Sequence, residues 1–160
     1  MNYSWIKYFI ITFLFLIFTL IQANFLPYFV IMGAVPNLIF ILFFIFIFFE
    51  KTNEYYDIFF LVIVAGFFSD IFLPSYFGIS MVALSVIYYF KKLIVYFMRE
   101  IKDKYFVFYF IPMFSFCFIL NEAILYLFSI FLHFQFNLKP IILISLIYSL
   151  IFACIGFYIY

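Results

Sequence analysis

Long apolar runs, separated by short polar or proline-containing breaks, occupy most of this chain. Of its 160 residues, 72% are hydrophobic and 9% are charged, and the mean hydropathy is +1.35. A water-facing domain needs far more polar side chains to cover its surface. The sequence therefore predicts one lipid-embedded domain over residues 1–160. We interpret the 32 phenylalanines as a bias toward bulky lipid-facing residues and not as a binding site.

Six apolar runs predict an all-α integral membrane protein, a bundle of six transmembrane helices. The predicted spans are residues 8–25, 36–49, 58–73, 79–90, 105–132 and 141–160. The second span is short, because its 14 residues extend only about 21 Å against a hydrocarbon core of about 30 Å. We expect Pro36 to be its first helical residue, where the missing N–H costs nothing.

The breaks between the runs differ in character. Residues 24–37 are apolar but contain two prolines and a glycine, which predicts a turn at the membrane surface or dipping into it. Residues 50–57 are predicted to form a polar loop, and Pro74 is predicted to end the third helix. Beyond Phe90, the fourth helix is expected to leave the bilayer and follow its surface.

The first run also resembles a signal peptide, because the basic residue Lys7 precedes an apolar stretch. The exit of that stretch reads Ile21, Gln22, Ala23 and Asn24, which does not match a small-x-small cleavage site. We therefore expect the first helix to be retained.

Basic residues indicate the orientation, because lysine and arginine stay on the cytoplasmic side. In the six-span prediction only Lys139 falls on the opposite side from the others, which are Lys7, Lys51, Lys91, Lys92, Arg99, Lys102 and Lys104. Both termini are thus predicted to be cytoplasmic. A five-span alternative would misplace Lys139 or the basic loop. We expect residues 91–104 to anchor this topology, or to contact anionic lipid or a cytoplasmic partner.

An acidic residue, Asp70, interrupts the third apolar run. At mid-span an aspartate costs about 2.5 to 3.5 kcal/mol on insertion scales, so we expect a partner that compensates for it. Gly66 lies four residues earlier on the same helix face, and a glycine allows the backbone of another helix to come close. This face is predicted to point into the bundle or at another protein. Alternatively, Asp70 extends to the outer headgroups.

A second acidic residue, Glu122, follows Asn121 in the fifth run, also in the outer half of the predicted span. One hypothesis is that Glu122 and Asp70 face a shared cavity or interface. The alternative is that Asn121 and Glu122 make interhelical hydrogen bonds that only fix helix packing.

Signatures of catalysis and metal binding are missing from the sequence. His133 has no second histidine or HExxH arrangement, and Ser69 has neither a GxSxG motif nor a nearby Lys or His base. Cys117 and Cys154 belong to no CxxC motif and are expected to be small core residues. We predict no enzymatic activity, no metal, no cofactor and no nucleic-acid binding.

The order of these features resembles the rod shape-determining protein MreD family. The resemblance covers residues 35–90: a Pro-Asn pair opens an apolar helix, a polar break follows, then Gly-x-x-x-Asp, a short turn and a glycine before the next helix. The matching positions are Pro36, Asn37, Gly66, Asp70 and Gly78.

The resemblance implies a non-enzymatic inner-membrane scaffold of the bacterial cell-elongation complex. Such a protein binds an MreC-like periplasmic partner and, through it, an MreB-like filament and the RodA-like and penicillin-binding peptidoglycan synthases. The resemblance also implies a bundle similar to the substrate-binding subunits of energy-coupling-factor vitamin transporters, and such a subunit is the alternative function. A docking face of small residues on the first span would favour this alternative. Thr12 and Thr19 are the only residues of modest size on that span.

Overall fold

The computed structural model describes residues 3–49, 55–71, 77–97, 106–132 and 141–159. These residues form six α-helices and one short 3₁₀-helix, with no strand among them, which confirms the all-helical prediction. The α-helices are α1 (Tyr3–Asn24), α2 (Leu38–Phe49), α3 (Tyr55–Asp70), α4 (Ile79–Phe97), α5 (Phe106–Phe131) and α6 (Ile141–Ile159), and the 3₁₀-helix is Leu26–Phe29.

Consecutive helices run in opposite directions. Gln22, near the end of α1, contacts the start of α2 at Leu38, and Asp70, the last residue of α3, contacts the start of α4. α1 and α3 begin at the same end of the bundle, where Lys7 pairs with Asp57. We call this the Lys7 end and the opposite one the Asp70 end.

The short helix α2 lies at the centre of the bundle. Nine of its 12 side chains are buried, and it packs against α1, α3 and α6. A helix that is apolar on all sides is stable only where other elements surround it. At about 1.5 Å per residue α2 extends about 18 Å, well short of a hydrocarbon core of about 30 Å.

Phenylalanines spaced four residues apart join α2 to α5. In five pairs between the two helices the ring centroids lie 5.0 to 5.7 Å apart, with planes inclined by 67 to 89°. Such edge-to-face pairs contribute about 0.5–1.5 kcal/mol each beyond their buried area. We call this set the phenylalanine ladder: Phe40, Phe44 and Phe48 on α2, with Phe110, Phe114 and Phe118 on α5. The interpretation of phenylalanines as lipid-facing bulk is wrong for these six.

The predicted start of α2 is also wrong by two residues. The helix begins at Leu38, because the side chain of Asn37 accepts a hydrogen bond from the N–H of Phe40 and so acts as the N-cap. Pro36 precedes the cap and is not the first helical residue.

The third and fourth helices differ from their predicted bounds as well. α3 begins at Tyr55, inside the predicted polar loop, where Asp57 bonds to α1. It ends at Asp70, three residues before the predicted end, and the carboxylate of Asp70 bonds to the start of the next helix. α4 continues as one helix past Lys91 to Phe97.

Several residues used in the sequence predictions lie outside the described residues. They are Lys51, Pro74, Arg99, Lys102, Lys104, His133 and Lys139. Of the basic residues that indicate orientation, the structure describes three. Lys7 lies at the Lys7 end, and Lys91 and Lys92 lie in the half of α4 nearer to that end.

The outer surface of the bundle is apolar. Each helix other than α2 exposes large apolar side chains, at three- or four-residue spacing on most of them. On α3 these are Phe59, Ile63 and Phe67, and on α6 they are Leu143, Ile147, Ile151 and Ile155. A water-facing bundle carries polar residues at such positions. Among the described residues, two segments, Trp5–Asn24 and Tyr109–Phe131, are long and apolar enough to cross a membrane.

Removing a ring from the phenylalanine ladder should destabilise the bundle. We expect Phe114→Ala to lower the free energy of unfolding by about 3–5 kcal/mol, because a fully buried ring leaves a cavity. The matched control is Phe59→Ala, which removes an exposed ring from α3. Unfolding of both variants in detergent micelles, followed by circular dichroism, measures the difference. Equal destabilisation by the two substitutions would contradict the prediction.

Candidate functional site at the Asp70 end

The carboxylate of Asp70 accepts two backbone hydrogen bonds at the start of α4. Its Oδ2 accepts from the N–H of Gly78 at 2.6 Å, and its Oδ1 accepts from the N–H of Ser80 at 3.0 Å. The first N–H groups of a helix have no intrahelical partner and carry partial positive charge, so a carboxylate is favourable there. Asp70 is only 3% exposed. The partner that compensates for its burial is therefore a helix of the same chain.

Gly66 lies one turn before Asp70, where the backbone of α4 comes close to α3. A Cβ atom at this position would lie 2.7 Å from the Cα and 2.9 Å from the N of Met81, so no side chain fits without a shift of backbone. This close approach holds the start of α4 within reach of Asp70. The face of α3 that carries Gly66 and Asp70 points into the bundle, and the burial of Asp70 disagrees with the headgroup alternative.

The first residues of α4 complete this connection. Gly78 has a φ of 102°, in the left-handed region that glycine tolerates best. Its carbonyl accepts the hydrogen bond from the N–H of Val82 that opens the helix. Ser80 is 2% exposed, and its Oγ has no hydrogen-bond partner within the part of the chain that the structure describes.

The start of α2 is capped by side chains from three segments. Oδ1 of Asn37 accepts from the N–H of Phe40 at 3.0 Å, and Oε1 of Gln22 accepts from the N–H of Leu38 at 2.9 Å. The N–H of Asn37 itself donates to Oγ of Ser149 on α6 at 3.1 Å. The end of α1, the start of α2 and the middle of α6 are thus joined through polar groups inside an apolar bundle.

Sequence analysis missed the contribution of α6. Ser145, Ser149 and Ala153 recur every four residues along the part of α6 that meets α2 and the segment before it. A Cβ at Gly156 would lie 2.5 Å from Cδ1 of Ile45, so the tip of the Ile45 side chain packs directly against this glycine. Small residues at four-residue spacing are the signal that could have indicated this contact.

Asn121 and Glu122 interact with each other. Nδ2 of Asn121 donates to Oε1 of Glu122 at 3.4 Å; Asn121 is buried and Glu122 is partly exposed. Within the described part of the chain, neither side chain hydrogen-bonds to Asp70 or to another helix. The two carboxylates therefore have different polar partners, and a shared cavity stays a hypothesis.

At the Lys7 end, a second carboxylate ties α1 to α3. Oδ2 of Asp57 accepts from Nζ of Lys7 and Oδ1 accepts from the hydroxyl of Tyr8, both at 2.5 Å. Asp57 precedes the apolar run that begins at Ile58. Desolvation opposes its ionisation, but the hydrogen bonds from Lys7 and Tyr8 and the charge of Lys7 outweigh that effect, so the pKa of Asp57 lies below its ordinary value. Sequence analysis did not identify this link.

The polar groups at both ends thus serve to join helices. Over residues 3–49, 55–71, 77–97, 106–132 and 141–159, no cluster of three or more His, Cys, Asp and Glu side chains could hold a metal ion. Comparisons of the chain with models of protein families, with characterised proteins and with solved structures gave no match.

The Asp57 link should make stability depend on pH. Because the pKa of Asp57 is lower in the folded chain, the link contributes stability above the ordinary value of 3.8. That contribution is lost as the pH falls through the folded-state value. We expect the melting temperature in detergent to fall less on acidification in Asp57→Asn than in the native chain. Identical acid sensitivity of the two proteins would contradict this prediction.

Proposed function

We propose that this chain is a multi-pass inner-membrane protein whose six helices all cross the bilayer, with both termini in the cytoplasm. The alternating helix directions and the apolar outer surface support this arrangement. The short helices are accommodated by local thinning of the bilayer or by protein that surrounds them. The described basic residues that lie toward the Lys7 end support a cytoplasmic location of that end.

Within that membrane, we propose, the protein is a non-enzymatic scaffold of the bacterial cell-elongation complex, which binds an MreC-like partner and helps to position lateral peptidoglycan synthesis. The observation that carries this proposal is the arrangement of the residues that resemble the MreD pattern. Pro36 directly precedes Asn37, which caps α2, and Gly66, Asp70 and Gly78 form the junction of α3 with α4. Each part of the pattern thus has a definite role in one framework.

This arrangement changes the expected role of Gly66 and Asp70. Sequence analysis left open a face that carries these residues and is offered to a partner helix, but α4 covers both of them. Asp70 therefore acts on partner binding indirectly, by holding the α3–α4 hairpin in shape. Helix association in lipid depends on close packing and hydrogen bonds rather than on hydrophobic transfer, so a small change in the hairpin is enough to weaken it.

The alternative function, a substrate-binding subunit of a vitamin transporter, has less support. Docking of a transport module would favour small residues on the outside of α1, but that surface carries Trp5, Phe9 and Phe13. The hydroxyls of Thr12 and Thr19 donate to carbonyls of their own helix. A vitamin-like solute that stays bound through purification would favour this alternative over the scaffold.

Depletion of the protein in the bacterium that encodes it tests the scaffold directly. We expect rods to become round, because lateral wall synthesis loses its position, and we expect the MreC-like partner to co-purify with the native chain from detergent extracts. Asp70→Leu should insert in the membrane yet recover less partner, whereas the exposed-site control Ile147→Leu should recover the native amount.

Two outcomes of this experiment would contradict the proposal. One is a normal rod shape after complete depletion, measured by microscopy with the protein level followed by immunoblot. The other is the absence of any MreC-like protein from the native extract. Equal partner recovery by Asp70→Leu and the native chain would contradict only the role assigned to Asp70.

A further inference from the structure

A loop at the Asp70 end presents apolar side chains outward. Residues 25–34, which we call the 25–34 loop, connect α1 to the segment that leads into α2. Tyr28 is 85% exposed and Met32 is 80% exposed. The other outward side chains of the loop are Phe25, Phe29, Val30 and Ile31. A water-facing loop is normally rich in polar and turn-forming residues, so this surface requires an apolar environment.

The inner side of the loop is apolar as well. Leu26 and Ala34 are buried against the bundle, and so is Pro36 just beyond the loop. No charged residue occurs between Tyr8 and Phe49, a stretch that includes all of α1 beyond Lys7, the loop and α2. The loop therefore has no side that matches an aqueous or a charged partner.

Two backbone hydrogen bonds between Ile31 and Ala34 close the tip of the loop. The N–H of Ile31 donates to the carbonyl of Ala34 at 3.2 Å, and the N–H of Ala34 donates back at 2.9 Å. Between them Met32 and Gly33 have φ values of 50° and 84°, as in the tight turns of hairpins. Residues 31–34 thus form a tight turn whose first and last residues exchange two hydrogen bonds.

Side chains of α6 satisfy the carbonyls on either side of the turn. The hydroxyl of Tyr148 donates to the carbonyl of Phe29 at 3.2 Å, and the hydroxyl of Ser145 donates to the carbonyl of Val35 at 3.2 Å. Non-helical backbone is tolerated at membrane depth only where its polar groups are satisfied by protein or line a water-filled cavity. These bonds meet the first condition for the carbonyls of Phe29 and Val35 and for the Ile31–Ala34 pair.

The length of α2 shows why such a loop is needed. Its 12 residues extend about 18 Å, which leaves about 12 Å of a 30 Å hydrocarbon core to the segments that flank the helix, and the loop lies on one of these two sides. The loop continues the exposed apolar surface of α1, where Leu16, Leu20 and Ile21 lead into Phe25. α1 is one of the two helices that are long and apolar enough to cross a membrane.

We propose that the 25–34 loop is immersed in the bilayer at the Asp70 end and that its binding partner is lipid, with Tyr28 and Met32 against acyl chains near the headgroup boundary. This inference rests on the membrane-spanning part of the proposed function and not on the role in cell elongation. The loop acts as an anchor that fixes the depth of the short central helix relative to the leaflet.

Tryptophan fluorescence in reconstituted vesicles tests the proposal, since the chain contains one tryptophan, Trp5. In a Trp5→Phe background, Tyr28→Trp places the only indole on the loop. Phe13→Trp in the same background places it on the exposed face of α1 and is the matched control. Quenching by phosphatidylcholine with brominated acyl chains is compared with quenching by acrylamide in the water.

We expect Tyr28→Trp to lose most of its emission in brominated vesicles, as Phe13→Trp does, and to resist acrylamide. Quenching of Tyr28→Trp by acrylamide but not by brominated lipid would overturn the proposal and leave the membrane bundle intact. Resistance to both quenchers would show that protein covers the loop, which also overturns it. Lack of lipid quenching at both positions would refute the membrane-spanning premise together with the proposal.

Discussion

Helix starts that lie inside an apolar bundle must find hydrogen-bond partners for their first N–H groups, and the rest of this structure depends on how that is done. Water is absent from a bilayer core, and each unsatisfied backbone group there costs several kcal/mol. At the start of α4, the carboxylate of Asp70 accepts two such hydrogen bonds. At the start of α2, the side chains of the N-cap Asn37 and of Gln22 from α1 accept them. Because Asp70 and Gln22 belong to other helices than the ones they cap, these hydrogen bonds also determine which helices are neighbours.

Two kinds of helix contact then set the spacing within the bundle. Where Gly66 meets Met81, the absence of a side chain allows the backbones of α3 and α4 to come close, and at Gly156 it makes room for the tip of the Ile45 side chain. Between α2 and α5 the interlocked rings of the phenylalanine ladder fill a wider gap. In the proposed membrane setting both kinds of contact work through packing, because removal of apolar surface from water contributes little between helices that are already in lipid. Shape complementarity therefore determines the arrangement more than hydrophobicity does.

The apolar runs were sufficient to predict the six helices and their approximate places. An apolar environment favours helices because an α-helix makes all of its backbone hydrogen bonds within one segment. They were not sufficient for the helix ends. Pro36 was predicted as the first residue of α2 and Leu73 as the last of α3. Instead, the cap at Asn37 sets the start of α2, and α3 ends at Asp70, whose carboxylate caps α4. Gln22 and Ser149 could not be placed, since their partners are distant in sequence and a uniformly apolar chain shows no amphipathic period to indicate facing surfaces.

Hydrogen exchange of the Gly78 and Ser80 amides, measured by NMR on the protein in bilayers, tests most directly whether Asp70 caps α4. With the carboxylate in place we expect both amides to exchange slowly, although neither has a partner within its own helix. In Asp70→Ala both should exchange much faster, while amides in the middle of α4 stay protected. Rapid exchange in the native chain, or protection that survives the substitution, would contradict the account.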